Sequence, residues 1–153
     1  MKKQAIITGA TSGIGRATAL RLAALGYDIV ATGRRADRLE TLRREVEQAG
    51  AACRTLCFDV RSEEECENYL DPIEQVDVLV NNAGLAAGLE RIDRGSTADW
   101  DAMIDTNVKG LLYVTRIVSR KMVAAGSGHI IYIGSLAGTE PYENGAVYCA
   151  AKH

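Results

Sequence analysis

Short apolar runs alternate along the chain with longer stretches in which apolar residues recur at helical spacing. The runs cover residues 5–8, 28–32, 54–58, 77–80 and 129–133. They are brief and continuous, which predicts strands covered on both faces. Between the first two, residues 14–25 predict a helix with Ile14, Ala17, Leu20 and Ala24 inward and Gly26 as its stop. Residues 36–49 predict an amphipathic helix with Leu39, Leu42 and Val46 inward and mixed charges outward, ended by Gly50. Ser62-Glu63-Glu64-Glu65 reads as a capping box opening a short polar helix. Ser96-Thr97-Ala98-Asp99 caps one long helix reaching about Ala125, and Gly126-Ser127-Gly128 turns the chain. A last helix starts near Ala146. Strands alternating with helices predict an α/β fold, a doubly wound parallel sheet with right-handed crossovers. No repeat or linker interrupts it, so residues 1–153 are expected to form one domain.

Composition narrows the partners. A net charge of −2 gives no basic field for nucleic acid. Cysteines 53, 57, 66 and 149 form no Cys-x-x-Cys, and only two histidines accompany them, so no metal site is expected. Free thiols in a reducing cytoplasm are the simplest reading. Met1-Lys2-Lys3 resembles the start of a signal peptide, but the apolar run breaks at Thr8-Gly9, too early for one. No apolar run approaches the roughly 18 residues of a membrane span.

Candidate chemistry gathers just after the strands, where open α/β sheets bind ligands. Thr8-Gly9-Ala10-Thr11-Ser12-Gly13-Ile14-Gly15 joins a strand to a helix start. Glycines there let backbone approach a ligand, and the free N–H groups of the helix start favour phosphates. The second strand ends at Thr32-Gly33-Arg34-Arg35, where an NAD site would carry a carboxylate for the ribose 2′-hydroxyl. Two guanidinium groups suit a 2′-phosphate instead, which predicts NADP; the alternative is a pair of surface charges at a helix start. Asp59 and Val60 are expected beside the adenine. Asn81-Asn82-Ala83-Gly84 supplies amides that steady the turn and leaves room for the adenosine ribose.

Tyr148 and Lys152 stand one helical turn apart on one face. A phenol is too weakly acidic to act as a base at neutral pH, and a nearby ammonium favours its phenolate. Ser135, after the fifth strand, is placed to donate to a developing oxyanion. Gly134-Ser135-Leu136-Ala137-Gly138 is no nucleophile elbow, because Ile133 stands where the first glycine belongs. Neither His129 nor His153 makes a convincing base for a serine hydrolase. Cys149 reads as a small apolar residue.

Together these motifs resemble the short-chain dehydrogenase/reductase family over the whole chain. The matching residues are Thr8-Gly9-x3-Gly13-Ile14-Gly15, Asp59-Val60, Asn81-Asn82-Ala83-Gly84, Asn107, Ser135 and Tyr148-x3-Lys152. The resemblance implies a Rossmann-type fold and catalysis by Ser135, Tyr148 and Lys152. Lys152, beside Tyr148, would also hold the nicotinamide ribose, and Asn107 would anchor a water in the proton relay. Ala31-Thr32-Gly33-Arg34-Arg35, Asn82-Ala83-Gly84-Leu85-Ala86 and Trp100-x-x-Met103-Ile104-Asp105-Thr106-Asn107 sharpen it. With Ile133-Gly134-Ser135-x-Ala137-Gly138 and Pro141-Tyr142, they are similar to NADP-dependent 3-hydroxy acid dehydrogenases acting on serine or allo-threonine. The alternatives are a reductase of another carbonyl, such as a 3-oxoacyl thioester or steroid ketone, and a non-catalytic NADP-binding module.

Two departures matter. NADP-preferring members often carry a basic residue where Ser12 stands, so the preference falls to Arg34 and Arg35. The chain also stops one residue after Lys152, whereas members continue with further strands, a substrate loop and a subunit-contact surface. A homo-oligomer is therefore expected of the whole protein, and fraying of the last helix in this one.

Overall fold

The computed structural model describes residues 2–153. Five parallel strands are laid side by side: β1 (Gln4–Ile7), β2 (Asp28–Gly33), β3 (Cys53–Cys57), β4 (Val78–Asn81) and β5 (His129–Tyr132). Their order is β3-β2-β1-β4-β5. The chain steps outward from β1 to β3, then crosses back to the other side of β1. That reversal opens a crevice at the carboxyl ends of β1 and β4, where doubly wound sheets take ligands. Ile6 is in register with both Val30 and Leu79 at the sheet's centre.

Alternate strand residues feed two cores, as the pleat requires. Ala5, Ile7, Ile29, Ala31, Val78 and Val80 point to one side, under α1 (Gly13–Ala24) and α2 (Ala36–Gln48). Ile6, Val30, Leu56 and Leu79 point to the other, under α3 (Glu63–Leu70) and α5 (Leu111–Ala125). Leu39, Leu42 and Val46 are buried, as the periodicity predicts. The inner face of α1 is different from the expected one. Gly15, Ala19 and Ala23 are buried, Leu20 is partly buried against the same core, Ala17 and Ala24 face solvent, and Ile14 is 62% exposed. Small residues let this helix lie close on the sheet, and that close seating outranks the larger apolar side chains.

The expected long helix is broken. α4 (Thr97–Ile104) passes into a wide π segment, Asp105–Gly110, before α5 resumes the ordinary turn. Such segments frequently sit at functional sites, and this one buries Thr106, Asn107 and Gly110. The capping box at Ser62 is half formed. Its hydroxyl accepts from the Glu65 N–H at 3.2 Å, but the Glu65 carboxylate accepts from the Asp59 N–H instead. A short turn, Leu136–Gly138, precedes the last helix, α6 (Ala146–Lys152). At the end of α6 the His153 N–H donates to the Cys149 carbonyl, and the His153 ring bonds the Gly138 carbonyl at 2.8 Å.

Candidate active site

The turn after β1 is fastened to the end of β4 before any ligand is considered. Thr8 Oγ1 is buried and accepts from the Asn82 and Ala83 N–H groups at 3.0 and 2.9 Å. The Asn82 amide returns the tie, donating from Nδ2 to the Thr8 and Gly9 carbonyls, both at 3.0 Å. Two glycines make this approach possible. Gly9 has φ 63°, and a Cβ there would stand 2.9 Å from the Ala83 Cα. A Cβ on Gly15 would collide with the Gly9 carbonyl and the Asn82 amide. Asn82 thus serves the turn's shape. Asn81, its neighbour, points the opposite way along the strand. It is buried, donates to Thr115 Oγ1 at 3.0 Å and ties β4 to α5. Its expected place in the ligand cleft is therefore corrected.

A cleft of about 430 Å³ opens between these strand ends. Gly9, Thr11, Ser12, Ile14, Arg34, Arg35, Asp59, Val60, Asn82, Ala83 and Gly84 line it, as the sequence motifs predict. Ala10 is buried beneath, donating its N–H to the Thr32 carbonyl, while Gly13 and Gly15 shape the turn without lining the cleft. Thr32, Gly33, Phe58, Leu85 and Thr106 also line it. Thr106 had no signal beyond its place beside Asn107 in an expected regular helix.

The electrostatics suit a diphosphate with a second anion at one end. Ser12 precedes α1 without capping it through its side chain, and the first turn of α1 carries no acidic residue. Its leading N–H groups therefore have no competing side-chain acceptor, and Ser12 and Ile14 bring this helix start to the cleft wall. At the far mouth the two arginines part. Arg34 Nη1 lies 3.8 Å from Asp59 Oδ2, whereas Arg35 turns back toward the glycine turn. Asp59 is held more firmly by Arg61, whose Nη2 donates to Oδ2 at 2.6 Å. Burial works to raise the Asp59 carboxyl, but the Arg61 hydrogen bonds and the Arg61 and Arg34 charges outweigh it and leave it below the usual carboxylate value.

A dinucleotide cofactor fits the residues present. Gly9, at φ 63°, puts bare backbone at the cleft wall. The hydroxyls of Thr32 and Thr106 are buried without a protein partner, and both residues line the cleft.

Beyond Gly84 lie the expected reactive residues. Asn107 is buried, and its amide clamps Leu85 from both ends: Oδ1 accepts from the Leu85 N–H at 2.9 Å and Nδ2 donates to its carbonyl at 2.8 Å. Lys152 Nζ donates to the Ile133 carbonyl at 3.1 Å, and a Cβ on Gly84 would stand 3.3 Å from it. Lys152 is thereby brought to the ends of both β4 and β5. Ser135 is an exposed residue, and its Oγ accepts from the Ala137 N–H at 3.1 Å. Tyr148 is half-buried beside a small adjoining pocket that Trp100 and Met103 also line. No hydrogen bond joins Ser135, Tyr148 and Lys152 to one another among the described residues.

A short chain dehydrogenase family model matches residues 3–153. The chain belongs to the short-chain dehydrogenase family. It is 46% identical over 151 residues to the NADP-dependent 3-hydroxy acid dehydrogenase YdfG of Escherichia coli K12, covering 96% of this chain and 60% of that protein. Sulfoacetaldehyde reductase 2 of Chromohalobacter salexigens is 43% identical, with 96% and 60% covered. The closed form of serine dehydrogenase complexed with NADP+ superposes with a TM-score of 0.91 at 43% identity, covering 97% of this chain and 60% of that one. The chain therefore spans about three-fifths of the length of the relatives it matches. No helix among the described residues is long and apolar enough to cross a membrane.

Proposed function

We propose that the whole protein is an NADP-dependent oxidoreductase acting on the hydroxyl of a small 3-hydroxy acid such as serine or allo-threonine. Residues 1–153 would form its NADP-binding domain. The observation that carries the cofactor is the far mouth of the cleft. Two arginines follow β2 where an NAD site would place a carboxylate. The substrate class rests on the likeness to YdfG and to serine dehydrogenase. The cytoplasmic location and homo-oligomeric assembly expected from the sequence belong to the same proposal.

Bound NADP supplies the hydride acceptor. The first turn of α1 would hold the diphosphate, Arg34 and Arg35 the 2′-phosphate, and Val60 the adenine. Tyr148 would take the hydroxyl proton during oxidation or return it during reduction. Lys152 carries a fixed ammonium at the ends of β4 and β5, suited to orient a ribose and steady a phenolate. Ser135 would donate to the substrate oxygen. The Asn107 side chain is already spent on Leu85, so it would serve the relay by fixing that loop, with any water held by the backbone of the π segment.

A second reading is carried by the match to sulfoacetaldehyde reductase 2, namely reduction of a small acidic aldehyde. The experiment is NADP reduction by the full-length protein with serine, allo-threonine and 3-hydroxyisobutyrate, and NADPH oxidation with sulfoacetaldehyde. Turnover of the hydroxy acids is expected. Oxidation of NADPH with the aldehyde alone would move the assignment to the second reading. Replacing both Arg34 and Arg35 with alanine is expected to weaken NADP binding by at least tenfold more than NAD binding, at about 1.5–3 kcal/mol per charge-assisted bond lost. Titrating both cofactors checks this, and equal losses would remove the 2′-phosphate role.

A further inference from the structure

Arg35 stands just before α2, yet its side chain folds back across the sheet edge. Its Nη2 donates to Thr11 Oγ1 at 2.7 Å and to Ser12 Oγ at 3.1 Å. Thr11 is only 9% exposed and sits where β2 lacks a side chain. A Cβ on Gly33 would stand 2.5 Å from the Thr11 methyl. A guanidinium has five N–H donors in a rigid plane. The two on Nη2 go to hydroxyls, and the other three have no partner among the described residues. Hydroxyls are neutral, so they fix the plane and leave the charge uncompensated. Arg34 differs: its side chain is 59% exposed, and it shares the carboxylate of Asp59.

The geometry points to Thr11 as a positioning residue for cofactor choice, acting through Arg35 on the preference for a nucleotide with a 2′-phosphate over one with a 2′-hydroxyl. The inference rests on the NADP reading above. A free arginine must give up rotamer freedom to clamp an anion. Thr11 has already restricted Arg35 before the anion arrives. Ser12, whose hydroxyl is not used as a helix cap, shares the hold.

The test is the ratio of NADPH to NADH affinity in the full-length protein, read by fluorescence titration. Thr11→Val keeps the branched shape that packs at Gly33 and removes the acceptor. It is expected to lower the ratio about fivefold, the scale of one net hydrogen bond. Thr11→Ser, which keeps the hydroxyl, should hold the ratio near that of the unaltered protein. Arg35→Ala should lower it more than Thr11→Val does, and adding Thr11→Val to Arg35→Ala should change nothing further. A ratio insensitive to Thr11→Val while Arg35→Ala lowers it shows that Arg35 needs no anchor, and overturns the inference. So does an equal drop from Thr11→Val in the Arg35→Ala background, which would mean that Thr11 acts on the cofactor directly. An unchanged ratio in Arg35→Ala removes the NADP role of Arg35 itself, and the inference falls with it.

Discussion

Tyr148→Phe in the full-length protein is expected to cut kcat by about 10²–10⁴-fold, the usual share of a positioned general acid or base. The variant loses one oxygen and keeps the ring. Tyr148 lines the adjoining pocket with Trp100 and Met103 and is not among the residues that shape the larger cleft at the ends of β1, β2, β3 and β4. The fold should therefore survive, and NADP should still bind. Single-turnover kinetics beside a cofactor titration separates the two effects. Unchanged turnover would deny Tyr148 the proton, while an inactive unaltered protein that still bound NADP would favour a non-catalytic module.

The second large effect is on stability. Thr8→Val preserves the side-chain shape in a buried position but removes the acceptor of the Asn82 and Ala83 N–H groups. Leaving a donor unsatisfied costs about 1–3 kcal/mol. Two partly buried donors should lower the unfolding free energy by about 2–4 kcal/mol, a large part of the roughly 5–15 kcal/mol typical of a domain. A shifted urea midpoint, with recovery of most of the loss in Thr8→Ser, is the expected result. A midpoint equal to that of the unaltered protein would mean that Thr8 is not what joins the two strand ends. NADP affinity should fall with it, because the same bonds shape the glycine turn.

The strands were legible because a parallel sheet covered on both faces needs continuous apolar runs, and the runs at residues 28–32 and 77–80 supply them. The cleft lining was legible for the same reason: strand ends in this topology converge on one edge, so Gly9, Arg34, Asp59 and Gly84 had to meet. The seating of α1 was not. Its inner face consists of Gly15, Ala19 and Ala23, whose smallness matters more than hydrophobicity. The π segment at Asp105–Gly110 left no trace either, because widening one turn changes backbone bonding without changing the residue pattern. Asn81 and Asn82 look alike in sequence, yet strand alternation gives one to α5 and the other to the glycine turn. Thr8 and Thr11 were read as members of the phosphate turn, but their bonds to Asn82, Ala83 and Arg35 were not legible because those partners lie in other segments.

The bond from Thr8 to Ala83 closes a loop of 75 positions. The amino acids of the phosphate turn are all present by residue 15, but the groups that set its shape arrive only with β4 and the two residues after it. On the ribosome, that turn lacks its bracing until the segment through Ala83 has left the exit tunnel. Closing a loop of this length costs entropy that only the packed sheet repays. The nascent chain should therefore gain its affinity for a nucleotide late and in one step. A free pool of cofactor would act on the finished sheet as a stabiliser rather than on the early chain as a template.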